Sequence, residues 1–455
     1  MSNYVFSNVA EWAVGTKYET VPDQALKSAK HALLDHLGVA LAGSEHVLAP
    51  KLRAYVDVAG SDQVCGLVGR HGRASVESAA LFNATMGHVL DFDDSSDALG
   101  GHPTVPMLPS LLALSEVRRY SGRELLTAYC VGYEVLAHLA NLVNFEHYDK
   151  GWHPTATLGV MGCAAACAKL LGLDAAGVSA ALSIAASFAS GLKVNFGTDM
   201  KSVQVGHAAQ QGLVAARMAA AGITGRVNAF EGERGFGAVY NGPGLFRSHP
   251  IQEGPDRIWD LVEPGLVIKQ YPCCGSTHPA IDAARVLREG VGDCRNIESV
   301  VVRLHPRRLA HTNRPVPVTA LEAKFSVQYA VAAALVRGNV ALHDFDEEQR
   351  LDPAVNALLS RVVAEPLPEE RYGPEHFAGE VELTLTNGER HMKRVEKAKG
   401  RGSRFALSDD EIISKFHGCT QDILPEGVGQ DVMTSVFDLD NLRDVRPIIG
   451  MVTDL

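Results

Sequence analysis

The stretch Gly87–Pro109, GHVLDFDDSSDALGGHPTVPMLP, joins one apolar, Ala-rich segment to another and packs four acids (Asp91, Asp93, Asp94, Asp97) and two serines ahead of Gly100-Gly101-His102-Pro103. The segments on either side repeat every three to four residues and read as helices, so the stretch is a helix-to-helix turn. Packing alone does not call for carboxylates and an imidazole in such a turn. Acids at a helix end need solvent, a cation or a donor, and the paired glycines let backbone approach closely. The turn is therefore the place to look for chemistry.

The same helical character extends in both directions. Asp23–Gly43 is amphipathic behind Pro22, and Ala74–Leu90, Val105–Arg119, Glu124–Val143, Gly159–Leu171, Ala175–Leu192 and Val205–Ala221 follow it, separated by Gly, Pro or Asp. Residues 1–265 read as one helical domain. Beyond Pro264 the texture changes. Ile297–Leu304 and Phe377–Leu385 alternate as strands, Asn387-Gly388 signals a hairpin, and Arg390–Val395 is its return strand. With a helix over Thr319–Val336, residues 266–400 make a smaller α+β unit. Residues 401–455 turn helical again and are expected to rejoin the first domain. The fold class is mostly α: a large all-helical domain with an inserted α+β lid.

Composition narrows the function. The 455 residues are 46% hydrophobic but only 6% aromatic, and the formal net charge is −11. Such a balance disfavours nucleic acid and anionic membrane surfaces as partners, and an anionic substrate would need a locally basic pocket. Met-Ser-Asn-Tyr shows no secretory pattern, Ala175–Leu192 reads as a buried helix, and eight irregularly spaced cysteines read as reduced thiols, so a cytoplasmic protein is expected. Adjacent Cys273-Cys274 and the lack of a CxxC pair give no metal site.

Asp93-Asp94-Ser95-Ser96-Asp97 matches the DDxxD of helical isoprenoid synthases, in which carboxylates share magnesium ions. That chemistry needs a second acidic cluster on a facing helix, and Asp344–Glu348 lies in the α+β region instead. No GxSxG elbow or phosphate loop is present, and Gly235-Phe236-Gly237 lacks the third glycine of a dinucleotide site. Four other settings stand out. His153 sits in a turn before a small-residue helix. Lys201 sits at the mouth of a helix whose positive end it would not choose without an anion. Lys269 lies at the domain junction, and Tyr329 lies on a helix, where a core role is the alternative.

Together these stretches resemble the MmgE/PrpD family, which includes 2-methylcitrate dehydratase, cis-aconitate decarboxylase and iminodisuccinate epimerase. The resemblance rests on DFDDS with Gly-His-Pro downstream, GWHPTATLGV (151–160), NFGT with Lys201, KQYPCC (269–274) with Thr277-His278-Pro279, EAKFSVQY (322–329), and KG…S…EI…KF near 399–416. It implies a helical domain closed by an α+β lid, a homodimer, no metal and no cofactor, with a cleft site for a small anionic carboxylate. Carried onto this chain, the family's pocket falls on Asp91, Ser95, His102, His153, Lys201, Lys269 and Tyr329. Ser95 stands where cis-aconitate decarboxylase has threonine, the spacing from the acids to the histidine is one residue longer, and Met-Lys-Ser replaces Thr-Lys-Pro.

Two lysines and two histidines suit a substrate with two or three carboxylates. Abstraction of a proton beside a carboxylate gives an enediolate that fixed positive groups must stabilise. His102 is expected as general acid or base, with Asp91 orienting it. Lys201 and Lys269 would bind carboxylates, Lys201 also the enediolate. His153 would hold or protonate the substrate, Tyr329 would donate a hydrogen bond or proton, and Ser95 would join the binding set. A hydro-lyase on a citrate-like acid is the first expectation, followed by a dicarboxylate epimerase and then a decarboxylase. A non-catalytic small-acid binding protein is the reading from a different class.

Overall fold

The computed structural model describes residues 4–58, 63–70, 72–254, 257–372 and 376–455. It is 58% helix and 8% strand, a mostly α protein with one small mixed sheet. The chain divides into two compact units, Met1–Ile268 with Ser408–Leu455, and Lys269–Leu407.

The first unit is helical. Asp23–Ser44 is buried along most of its length, and near its end a neighbour approaches so closely that only glycine fits. A Cβ on Gly43 would lie 2.0 Å from the carbonyl oxygen of Met86. The Val76–Val89 and Met200–Ala220 helices meet at Gly206, where a Cβ would fall 2.1 Å from Thr85 Oγ1. Ser75 caps the first of these through the Ser78 N–H, and Ser121 with Glu124 forms a capping box on Gly122–Val143. Gly122–Val143 is long and apolar enough to cross a membrane by composition, but 94% of that window is buried inside the protein. The returning helix Asp409–Thr420 opens with a Ser408–Glu411 box. It joins Asp23–Ser44 through a buried ion pair, Lys415 Nζ 2.5 Å from Asp35 Oδ1.

The second unit is built on a four-stranded sheet in the order Val362–Pro366, Ile297–Leu304, Gly379–Leu385, Arg390–Val395. Ile297–Leu304 runs parallel to the first of these and antiparallel to Gly379–Leu385. The hairpin closes at Asn387-Gly388, with Gly388 at φ +86°. Ile281, Val300, Val302, Val331, Val381 and Leu383 share its apolar core.

Several elements differ from the sequence expectations. The Thr319–Val336 helix is two helices, Ala320–Lys324 and Val327–Arg337, because Ser326 caps the second through the Tyr329 N–H. The Ala175 helix ends at Phe188, and the helix expected from Val205 begins at Met200, which places Lys201 inside its first turn. The strand Val362–Pro366 was not expected, since its pairing partner lies some sixty residues earlier across intervening helices. None of the eight cysteines is in a disulfide, and Cys163 and Cys167 pack Sγ to Sγ at 3.9 Å.

Candidate active site

The Val76–Val89 helix stops at Leu90, and Asp91 takes up a left-handed conformation (φ +55°) that reverses the chain. Aspartate tolerates this region better than most residues. The turn is then pinned from outside. Asn144 Nδ2 donates to the carbonyls of Ala98 (3.0 Å) and Leu99 (2.7 Å), and the His102 N–H donates to Thr155 Oγ1 at 3.0 Å. That last approach requires glycine at 101, where a Cβ would stand 2.6 Å from the same hydroxyl.

Asp93, buried in the turn, is shared by two imidazoles. Its Oδ2 lies 2.8 Å from His88 Nδ1 in a hydrogen bond. The same oxygen is 3.1 Å from His102 Nδ1, an ion-pair approach whose angle falls short of a hydrogen bond. Burial alone would push the Asp93 carboxyl up, but His102 and His88 outweigh it and hold it well below the usual carboxylate range. Burial lowers His88 to about 4, against the pull of Asp93. The consistent state is an ionised Asp93 accepting Nδ1–H from a neutral His88. Three atoms keep unused capacity: His88 Nε2, Asp93 Oδ1 and His102 Nδ1 are buried without a hydrogen-bond partner. Native structures leave few such groups without a functional reason.

Asp91 faces another way. Its Oδ1 accepts from Lys201 Nζ at 2.7 Å and lies 3.7 Å from His102 Nε2. The expected orienting role over His102 is thus better fitted by Asp93, because Asp93 meets the inner ring nitrogen while Asp91 pairs with the lysine. His153 is 2% exposed, receives Gln204 Nε2 on its Nδ1 at 2.6 Å and packs edge-on against Phe196 at 4.9 Å. Burial first, then the charges of His88, Lys201 and His102, lower its pKa well below the ordinary histidine value. The structure therefore brings Asp91, His102, Lys201 and His153 into one cluster with His88, Asp93 and Gln204, three residues that the sequence reading did not select. His88 and Gln204 stand three residues from the selected Asp91 and Lys201, and Asp93 stands two from Asp91 in the same turn.

Asp94 is committed elsewhere. It accepts from the Thr104 hydroxyl, which meets Tyr129 OH at 2.6 Å. Burial first and then Asp35 push its carboxyl well above the usual range. With Asp93 given to imidazoles and Asp94 to a hydroxyl, and no helix across 93–97, the DDxxD pattern offers no shared carboxylate face. Ser95 is half-buried and pairs through its backbone with Val267, N–H to carbonyl at 2.8 and 2.9 Å. Lys269, two residues beyond Val267, opens the second unit and is 6% exposed. Tyr329 is buried in the second unit, with its hydroxyl donated to the carbonyl of Asp344 and its pKa pushed up by burial to about 12. That phenolic proton is engaged in the unit's own core.

One metal-capable grouping occurs among the described residues: His88, Asp91 and His102 can each offer a donor atom, all within 4.8 Å of one another. Lys201 lies 2.7 Å from the same Asp91 carboxylate. A cation there would displace a fixed ammonium, so this set fits a metal poorly.

Comparison with known proteins agrees with the motif pattern. The model described as the MmgE/PrpD N-terminal domain matches residues 7–248, and that of the MmgE/PrpD C-terminal domain matches 271–439. The C-terminal match thus includes residues 408–439, which pack within the first unit. The cis-aconitate decarboxylase of Mus musculus is 29% identical, covering 94% of this chain and 89% of that protein. The cis-aconitate decarboxylase of Homo sapiens is 30% identical (94% and 90%), and the 2-methylcitrate dehydratase of Salmonella typhi is 25% identical (88% and 86%).

Proposed function

The chain belongs to the MmgE/PrpD family, and from that premise we propose that it is a lyase acting on a tricarboxylate-like acid, with His102 moving the proton at carbon. The observation that carries this is the placement of His102, with Nδ1 beside the Asp93 carboxylate and Nε2 facing the Asp91–Lys201 pair. The negative charge of a carboxylate 3.1 Å from the inner nitrogen favours the proton there and leaves Nε2 able to take or give one.

Lys201 and the donor edge of His153 are the substrate-facing groups. An incoming carboxylate competes with Asp91 for Lys201, and the lysine then stabilises charge that develops on the oxygens of an enediolate. In the decarboxylation arm a carbon–carbon bond breaks, carbon dioxide leaves, and the electron pair delocalises onto the remaining carboxylate until His102, entering this arm protonated on both nitrogens, gives its Nε2 proton to carbon and regains one from water. In the dehydration arm neutral His102 removes the proton beside a carboxylate, and the hydroxyl leaves as water by taking a proton back from the His102 imidazolium. Decarboxylation leads here, unlike in the sequence reading, because the decarboxylases match at 29–30% over 94% of the chain and the dehydratase at 25% over 88%. Epimerisation of a dicarboxylate uses the same enediolate and comes third. Ser95 and Lys269 remain substrate-binding candidates on the family motif. Tyr329 takes no step, its hydroxyl being engaged with Asp344.

The test is proton NMR in deuterated water with cis-aconitate, citrate, 2-methylcitrate and iminodisuccinate. Carbon dioxide release with deuterium in the product supports the first arm, and an alkene growing from a hydroxy acid supports the second. Full turnover by His102→Gln would end the assignment of the proton to His102.

A further inference from the structure

We propose that Gln204 is a positioning residue: it locks His153 as the neutral Nε2–H tautomer, so that His153 meets the substrate as a hydrogen-bond donor and takes no part as a base. The inference rests on the lyase reading for its catalytic consequence, but the tautomer itself follows from geometry.

The contact between Gln204 Nε2 and His153 Nδ1 is 2.6 Å, and both residues are buried, at 6% and 2% exposure. An amide can be turned over, so the direction of this bond must be argued from its other partners. Gln204 Oε1 lies 3.2 Å from the N–H of Leu192, a group that can only donate. Gln204 Nε2 also lies 3.5 Å from the carbonyl of Leu192, which can only accept. Turning the amide over would set oxygen against oxygen and N–H against NH2. The amide therefore presents its NH2 to the ring, Nδ1 must accept, and the single proton of a neutral imidazole sits on Nε2.

The frame that fixes Gln204 is rigid. Leu192 is bridged antiparallel to Trp152, and the His153 N–H donates to the Gly191 carbonyl at 3.0 Å. Gly191 adopts φ +132°, and a Cβ there would come 2.7 Å from that of Ala156, so the strap lies flat against the histidine's own turn. Charged and titratable neighbours also disfavour the imidazolium. Lys201, His88 and His102 face the ring, and Asp93 opposes them from beyond His88.

Lys201 and Gln204 stand one turn apart on the Met200–Ala220 helix, i and i+3, and so share a face. One helix thus carries the ammonium and the tautomer lock. The two site histidines end in opposite states. His102 has its inner nitrogen against a carboxylate and its outer nitrogen open to act as base, whereas His153 has its inner nitrogen capped by a donor and its outer nitrogen protonated. A neutral donor can hold an enediolate oxygen without exchanging a proton with it, which leaves the stereochemical outcome to His102.

The test uses full-length protein labelled with nitrogen-15 histidine, with His153 assigned by its loss in His153→Asn. Wild type is expected to show a protonated Nε2 and an unprotonated Nδ1 from pH 5.5 to 8. In Gln204→Glu the carboxylate should draw the proton to Nδ1, lower kcat/KM at least ~10-fold at pH 7.5, and add an ionisation to the pH profile. Gln204→Leu should give a mixture of tautomers. A wild-type His153 protonated at Nδ1 or charged at neutral pH would overturn the lock with no variant required. A Gln204→Glu spectrum and profile that match wild type would overturn it as well. A wild type silent on every acid strikes the lyase reading instead, and the nitrogen spectrum still decides the tautomer.

Discussion

Two buried acid corners invite comparison, the Asp93 turn of the first unit and the Asp344 corner of the second. At Asp344 every oxygen has a partner. Oδ1 pairs with Arg337, Oδ2 accepts the Ala341 N–H at 2.6 Å, and the backbone carbonyl accepts the Tyr329 hydroxyl. Arg337 Nη2 donates to the carbonyl of Gln349 and to Asp352. At Asp93 one oxygen serves two imidazoles while the other, with His88 Nε2, has no partner. Both corners bury charge at a cost. A saturated corner recovers the cost as rigidity, and an open one keeps capacity for a group that is not part of the chain.

The comparison is sharpened most by Asp93→Asn, which keeps the shape and removes the charge. It should lower kcat/KM by roughly 10³- to 10⁴-fold with little change in melting temperature, as read by steady-state kinetics beside thermal melts. A variant that keeps full turnover would make the Asp93 turn merely structural. Asp344→Ala should do the reverse, costing about 1–3 kcal/mol of stability because the buried Ala341 N–H loses its acceptor and Arg337 keeps only Asp352 and the Gln349 carbonyl, measured by urea unfolding, while the folded fraction keeps its kcat. Tyr329→Phe removes one hydroxyl and should cost about 1–3 kcal/mol with kcat/KM held. A large loss of turnover without loss of stability would return Tyr329 to the catalytic set.

The smallest effect is a pH slope. Burial lowers His36 and His88 to about 4. The unfolded chain takes up these protons near 6.5, but the folded chain refuses them until about 4. Over that window the folded state binds fewer protons, so stability is lost as pH falls, by up to about 1.4 kcal/mol per pH unit for each histidine. Thermal melts between pH 7.5 and 5 should show it, and a melting temperature that rises on acidification would contradict the neutral His88 assigned to the open corner.

Much of this was legible in the sequence. The turn declared itself by its acids, glycines and His102, and the helices around it by their period. The partners of His102 were harder to read. Asp91 and Asp93 are equivalent in a string of letters, and only the left-handed backbone at Asp91 decides which one meets the inner nitrogen. His88 lies in the last turn of an apolar helix, where a lone histidine reads as core. Gln204 acts through the Gly191–Leu192 strap, whose position depends on a bridge to Trp152. The strand Val362–Pro366 escaped for a related reason, since its partner is remote in sequence.

The ion pair between Asp35 and Lys415 bears on the order in which the protein can be completed during synthesis. Asp35 leaves the ribosome 380 residues ahead of its lysine, in a helix buried along most of its length. Until then the nascent first unit lacks the helix that carries Lys415 and packs on Asp23–Ser44. The second unit, contiguous from Lys269 to Leu407, has its whole sequence in hand sooner. A domain begun first is therefore the one finished last, and the growing chain must be kept from aggregation through the interval.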